Sequence, residues 1–331
     1  MHHSTRMWPI LGLGVVVMSA TGCPQLQNLF QPPSTSGSAA PGLNDFAPPP
    51  AGQGIQLHVG PFDVPQGSEV QRNYYLKLPS DQAVEITKVE FHYAKGSHHC
   101  NVFKSDTEDH PDGSVDTFNA VAYDTYDMWA ASQAENQAIT FPAGMTLPMK
   151  AHQQLLIQTH YVNGVTQAGS QGDVKINIWF AQPGQSKGHV GMLFAINKTL
   201  AIPPHTLGYD ATKSITFGAD KFPNGTNLFA MTGHFHSRGK KFKTFKWNNG
   251  IIGDLIYEND TWSEPPFKTF DPPLQIQPGD KFLYDCTFDN NSDATVSFGP
   301  RVETQEHANA FMYFYPGPAD GHAFYDVNGA P

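Results

Sequence analysis

From Ile55 onward, apolar and polar residues alternate in short runs. YYLKLP, AVEITKVEFHYA, LLIQTHYV, VKINIWFA, SITFGA, NLFAMTGHFH, KFKTFKW, KFLYDCTF and AFMYFYP are rich in β-branched and aromatic residues, with turn-forming residues between them. No long stretch keeps a helical period with caps at its ends. The pattern predicts an all-β chain, with β-sandwiches favoured over a closed barrel. In EHANAFMYFYP, alternation sets His307, Asn309, Phe311 and Tyr313 on one face of a strand. Ala308, Ala310, Met312 and Phe314 fall on the other, which reads as core.

The runs fall into two groups separated near Ala201-Ile202-Pro203-Pro204-His205, where a proline pair interrupts the strand pattern. Two domains are expected, residues 55–200 and 201–331. Residues 24–54 are rich in Pro, Gly, Ser and Ala and read as a linker. Residues 1–23 read as an export signal: Arg6 precedes the apolar run WPILGLGVVVMSA, which ends at Thr21-Gly22-Cys23. A Cys directly after small residues is similar to a lipoprotein box, with Cys23 as the lipidated residue, although Ala20 stands where Leu is usual. An ordinary signal peptide and an uncleaved anchor are the alternatives, and all three readings imply export.

Composition narrows the functional classes. The chain has 331 residues, 39% of them hydrophobic and 15% charged, with 30 Gly and 27 Pro. This is a loop-rich and strand-rich profile. A net charge of −10 leaves no basic footprint for nucleic acid. Beyond Cys23 only Cys100 and Cys286 remain, too few for a disulfide framework, and both are expected to be unpaired.

The candidate chemistry lies in six histidines in four clusters: His98-His99, His160, His234-x-His236 and His307. Neutral imidazole is the commonest side-chain metal ligand. His234 and His236 share a strand face and can chelate one ion, or can be two half-exposed polar positions. His160 lies among apolar residues, with Gln158 and Leu156 on its face, and reads either as a ligand or as a core histidine. Adjacent His98 and His99 need an irregular backbone to act together, which Lys95-Gly96-Ser97 can supply. Otherwise one of them ligates and the other is solvated. His2, His3, His58, His92, His110, His152, His189, His205 and His322 offer no such grouping. Scattered imidazoles without paired cysteines disfavour a structural zinc site. With export, they favour copper.

At these residues the chain resembles the copper type II, ascorbate-dependent monooxygenases, the family of peptidylglycine α-hydroxylating monooxygenase and dopamine β-hydroxylase. The resemblance spans roughly residues 55–318 and rests on motifs in order. These are SHHCNVF, Ile157-Gln158-Thr159-His160-Tyr161, His234-Phe235-His236 followed by Arg238-Gly239-Lys240, Cys286-Thr287-Phe288, and Glu306-His307-Ala308-Asn309 leading to Tyr313-Phe314-Tyr315. It implies two jelly-roll-like β-sandwich domains facing each other across a solvent-filled cleft, each with one copper ion. By position, His98, His99 and His160 would hold an electron-supplying copper, with Gln158 beside it. His234, His236 and His307 would hold the copper at which O2 is used to hydroxylate a C–H bond of a small organic substrate, ascorbate restoring the electrons. Thr232, Asn309, Phe311 and Tyr313 would face the substrate.

Three departures from the family pattern stand out. His307 occupies the position of a methionine ligand, and imidazole favours Cu(II) where a thioether favours Cu(I). Thr232 and Phe311 replace an Arg and a Tyr that hold a peptide carboxylate, which argues against a peptide substrate. Ala308 replaces a cysteine, so Cys286 lacks its family partner. A non-catalytic copper protein for storage, sensing or electron transfer is the alternative function. A third reading is a carbohydrate- or surface-binding sandwich with incidental histidines.

Overall fold

The computed structural model describes residues 43–117, 125–163, 170–248 and 250–327. The segment read as an export signal, with Cys23, and the segment read as a linker, as far as residue 42, lie outside them. Among the described residues the chain is all-β, and its only helical element is a 3-10 turn at Leu43–Asp45. No described helix is long and apolar enough to cross a membrane.

The first half forms two sheets. One has the order Gly54–Val64, Ser170–Phe180, Val84–Tyr93, Met145–Met149, Gly188–His189, with Asn136–Thr140 also pairing with Val84–Tyr93. The other has the order Val115–Thr117, Glu69–Lys77, Gln154–Val162, Ser97–Ser105, Tyr126–Ser132. Gln154–Val162 is central in this sheet, and all nine of its residues are buried. A strand that must cover both faces reads as a continuous apolar run with few polar breaks.

The second half also forms two main sheets. Their orders are Lys268–Ile276, Thr226–His234, Asn309–Tyr315, Gly191–Ile196, Phe324–Val327, and Thr206–Thr216, Lys281–Asn290, Gly239–Asn248, Ile251–Asn259. Alternation along Asn309–Tyr315 sorts its side chains as expected. Ala310, Met312 and Phe314 enter one core with Phe242, Phe282 and Tyr284. Phe311 and Tyr313 enter the other, with Trp129 and Phe194. The strand Asn309–Tyr315 is therefore buried on both faces.

That second core joins the halves. Within the second-half sheet, Phe311 stacks on its cross-strand neighbour Phe194 at 4.5 Å between ring centroids, a contact contributing about 0.5–1.5 kcal/mol beyond the area buried, and the pair faces the first-half core. The Ala131 N–H donates to the Tyr313 hydroxyl (3.1 Å) and the Met128 N–H to the Tyr325 hydroxyl (2.7 Å). Each such bond nets only about 0.5–1.5 kcal/mol, so apolar burial dominates the union and the hydrogen bonds fix its register.

Two features differ from the sequence expectation. The linker was expected to run to residue 54, yet its last residues are tied to the first sheet. Lys175 Nζ donates to the Leu43 carbonyl (2.9 Å), Asn177 Nδ2 donates to the Ala47 carbonyl (2.9 Å), and Phe46 stacks on His92. Phe46 supplies an apolar anchor in an otherwise featureless stretch. The chain also changes sheets earlier than the Pro203-Pro204 break. Gly188–His189 still pairs with a first-half strand, while Gly191–Ile196 already pairs with Asn309–Tyr315.

Candidate metal centre

A β-bulge brings His98 and His99 together. Ser97 pairs with Tyr161 and His99 with His160, so two steps along one strand meet a single step along its partner. The extra residue is His98, and the local kink releases the pair from strict alternation. His99, His160 and Gln71 then form one row across three strands, with Asn101, Gln158 and Asn73 in the next. Gln158 accepts from Asn101 Nδ2 (3.2 Å) and donates to Asn73 Oδ1 (3.2 Å). This buried amide row backs the imidazoles.

In the second half, Thr226–His234 ends at His234, and Phe235 turns into the core at 0% exposure, leaving His234 and His236 on the opposite side. Gly239 makes room for this turn. A Cβ there would lie 2.0 Å from the Phe235 ring. The loop is then pinned by a carboxylate. Glu306 is fully buried, and its oxygens accept from the backbone N–H groups of His236 (2.7 Å), Arg238 (2.7 Å) and His307 (3.2 Å). Burial pushes its carboxyl up to about 8 against the pull of these three donors and Arg238.

All six histidines meet in one cluster. His98 lies 5.1 Å from His99, 5.3 Å from His160, 4.9 Å from His234 and 5.1 Å from His236, between ring centroids. His236 lies 4.3 Å from His307. Five of the rings are buried and His307 is half-buried. The imidazoles of the two halves thus touch, where the family resemblance implied two groups facing across a solvent-filled cleft. Packing of Phe311 and Tyr313 into the first-half core closes that space.

Burial holds all six imidazoles below their usual range, reinforced by neighbouring rings at His98, His99, His234 and His307 and by Arg301 at His160. His160 and His236 are both pushed down to about 3, again first by burial. A neutral imidazole has a lone pair, and hydrogen bonds decide which nitrogen carries it. His236 donates from Nδ1 to the Gln305 carbonyl (3.1 Å), which leaves Nε2 as the lone-pair atom, buried and without a hydrogen-bond partner. His160 donates from Nε2 to Glu69 Oε1 (2.7 Å). His234 donates from Nδ1 to Gln133 Oε1. The ring nitrogens of His98 and of His99 have no hydrogen-bond partner, although all four are buried.

Two sets of three donor atoms lie within 4.8 Å of one another: His98, His99 and His160, and His98, His234 and His236. His307 falls outside both sets. Its Nδ1 is 3.0 Å from His234 Nε2, so it occupies the nitrogen that a metal on His234 would take. The all-nitrogen donor sets, neutral and with buried lone pairs, fit copper. The thiols do not take part. Cys100 and Cys286 are free, buried and held protonated by that burial.

The other expected residues are near the cluster in register. His234 pairs with Asn309 and Thr232 with Phe311. The Phe311 ring is 6.1 Å from His234. Tyr313 is committed elsewhere, accepting from Ala131 at the union of the halves. Four contributors escaped the sequence reading. Gln133 and Glu69 hold His234 and His160; Trp262 packs on His98 at 5.3 Å and Phe298 on His307 at 4.8 Å. None carries a local motif.

Tyramine beta-hydroxylase of Caenorhabditis briggsae is 30% identical over 96 residues, covering 28% of this chain and 16% of that protein. Dopamine beta-hydroxylases of Equus caballus and Homo sapiens are 22% and 21% identical over 170 residues, covering 49% of this chain and 28% and 27% of theirs. The chain thus spans less than a third of the length of these curated relatives. Among solved structures, PNGF-II is 9% identical with a TM-score of 0.32, covering 79% of this chain and 65% of that one. The segment that contains His234, His236 and His307, residues 188–327, matches the family model of the copper type II ascorbate-dependent monooxygenase C-terminal domain.

Proposed function

We propose that this chain is a copper-dependent monooxygenase. It would hydroxylate a C–H bond of a small organic substrate, with O2 as oxidant and ascorbate as reductant. The observation that carries this reading is the gathering of six neutral imidazoles from four distant segments into one buried cluster. Bound copper would supply one-electron redox chemistry and O2 activation. His98, His99 and His160 would hold one ion and His234 and His236 a second, with His307 joining the second after leaving His234. Glu69, Gln133 and the Gln305 carbonyl would orient three of these rings by fixing which nitrogen bears the proton. Thr232, Asn309 and Phe311 would border the substrate, with no cationic side chain at the Thr232 position to hold a carboxylate. Each half would be a jelly-roll-like β-sandwich.

The test is copper titration followed by O2 consumption with ascorbate across candidate substrates. Two ions should bind, and both His160→Ala and His236→Ala should weaken binding. Unchanged binding in both variants refutes the reading.

A non-catalytic copper protein is the second reading, favoured by the burial of five of the six rings and by imidazole at position 307. It predicts copper binding with no substrate-dependent O2 uptake above the peroxide background. We also propose membrane attachment through a lipid on Cys23. Fatty-acid labelling that persists in Cys23→Ser would refute it.

A further inference from the structure

We propose that the outer face of the strand pair Gly239–Asn248 and Ile251–Asn259 is a membrane-contact surface, seated where the headgroups of a phospholipid bilayer meet its acyl chains. It depends neither on the copper reading nor on a lipid at Cys23.

One face of this sheet sends Phe242, Phe282 and Tyr284 into the core, and register sorts the other face into rows. Lys243 stands between Glu258 and Asp285, a charged row. The next two rows are apolar: Phe245 stands between Leu255 and Leu283, and Trp247 between Ile252 and Lys281. Ile252 is 57% exposed, Leu255 49% and the neighbouring Ile251 72%. All of Ile251–Leu255 is exposed, so nothing among the described residues covers this end. Lys281 Nζ lies 5.2 Å from the centroid of the Trp247 ring. Aliphatic side chains beside an indole and a lysine suit the membrane interface. There the ring sits at headgroup level and the lysine stem follows apolar surface while its ammonium stays in water.

Other occupants fit less well. Ile251–Asn259 is an edge strand, but two register shifts interrupt its ladder with Gly239–Asn248, and exposed Asp254 stands within it. Bulges and edge charges oppose strand addition by a second copy. The apolar rows by themselves also fall well short of the about 800 Å² per partner of a stable protein interface. Charge favours lipid. The four strands of this sheet carry six lysines against five acidic residues, in a chain of net charge −10. This face therefore escapes the repulsion that an anionic lipid surface exerts on the acidic remainder.

The test places a fluorophore at Ile252→Cys in the full chain carrying Cys23→Ser, so that no lipid at that position contributes. Cys100 and Cys286 are buried and stay unlabelled. With vesicles of phosphatidylethanolamine and phosphatidylglycerol, the emission should shift to the blue and be quenched by lipids brominated on their acyl chains. The same label at Asp81→Cys, on an exposed first-half loop, should stay in water. Adding Leu255→Asn, which removes one aliphatic side chain from the patch, should weaken the vesicle partition read at Ile252→Cys about tenfold. Circular dichroism reports whether each variant folds. A label at Ile252→Cys that stays in water overturns the proposal, even if the chain reaches vesicles through its N-terminal residues. Equal quenching at both labelled positions marks unspecific adsorption and overturns it too. A dimer in solution that Leu255→Asn dissociates, with no quenching by lipid, assigns the patch to a second copy and overturns the membrane contact.

Discussion

Gln133 and His234, 101 residues apart, meet through their side chains: the imidazole Nδ1 donates to the amide oxygen. Gln133 Nε2 also donates to the Gly233 carbonyl (3.2 Å), so both ends of the amide are used. A first-half side chain thereby sets the tautomer of a second-half imidazole. Removing it would leave a buried ring N–H unpartnered and take one donor from the Gly233 carbonyl, which also accepts from Thr232 Oγ1 (3.4 Å). Gln133→Ala should destabilise the fold by about 1–3 kcal/mol and weaken copper binding by about 10–100-fold. Denaturant unfolding and copper titration check the two effects, and unchanged copper affinity would exclude the orienting role.

Glu306 organises the other side of the centre. Its carboxylate accepts three backbone N–H groups from the segments that carry His236 and His307. In Glu306→Gln an amide N–H₂ would face some of those donors. The expected loss is about 1–3 kcal/mol of stability, read as a lower melting temperature.

Gly239 tests the packing behind the His-x-His segment. The Cβ of Gly239→Ala would overlap the Phe235 ring, which would have to shift between the two imidazoles it separates. Overpacking of this kind costs about 1–3 kcal/mol. Copper binding at His234 and His236 should fall with it, while a surface change such as Gly253→Ala, where a Cβ would meet its nearest neighbour, the Lys246 carbonyl, at 3.4 Å, should leave copper binding intact.

Copper itself should stabilise the fold. The rings are positioned only in the native state, so an ion present at a hundred times its dissociation constant should add about 2.7 kcal/mol. Differential scanning calorimetry with and without Cu(II) would show a rise in melting temperature, reversed by a chelator. No shift at saturating copper contradicts the metal reading.

What was legible in the sequence was local. The two faces of Asn309–Tyr315 follow from a period of two, and the core assignments of Met312 and Phe311 agree with it. The need for irregular backbone at His98-His99 was also visible, because neighbouring strand residues point to opposite faces. The partners were not. Gln133 reaches His234 across 101 residues, and Glu69 accepts from the Val302 N–H (2.7 Å) across 233. Only the packing of the halves brings them within reach, and an isolated Gln or Glu in a polar stretch carries no mark of that contact. Phe46 likewise gave no periodic signal, yet it docks on His92. His307 lay on the expected face, but its distance from the donor sets depends on how Glu306 holds the loop.

The bulge at His98 also governs how the chain tolerates a change of length. Deleting that one residue would restore an ordinary ladder between the two strands, because every other pairing in Cys100–Ser105 already has the register it needs. A deletion elsewhere in the strand would instead slip the register and turn each later side chain to the wrong face. One codon therefore separates the observed sheet from a regular one, and the structure contains, one residue shorter, the outline of an uninterrupted ladder without the imidazole of His98.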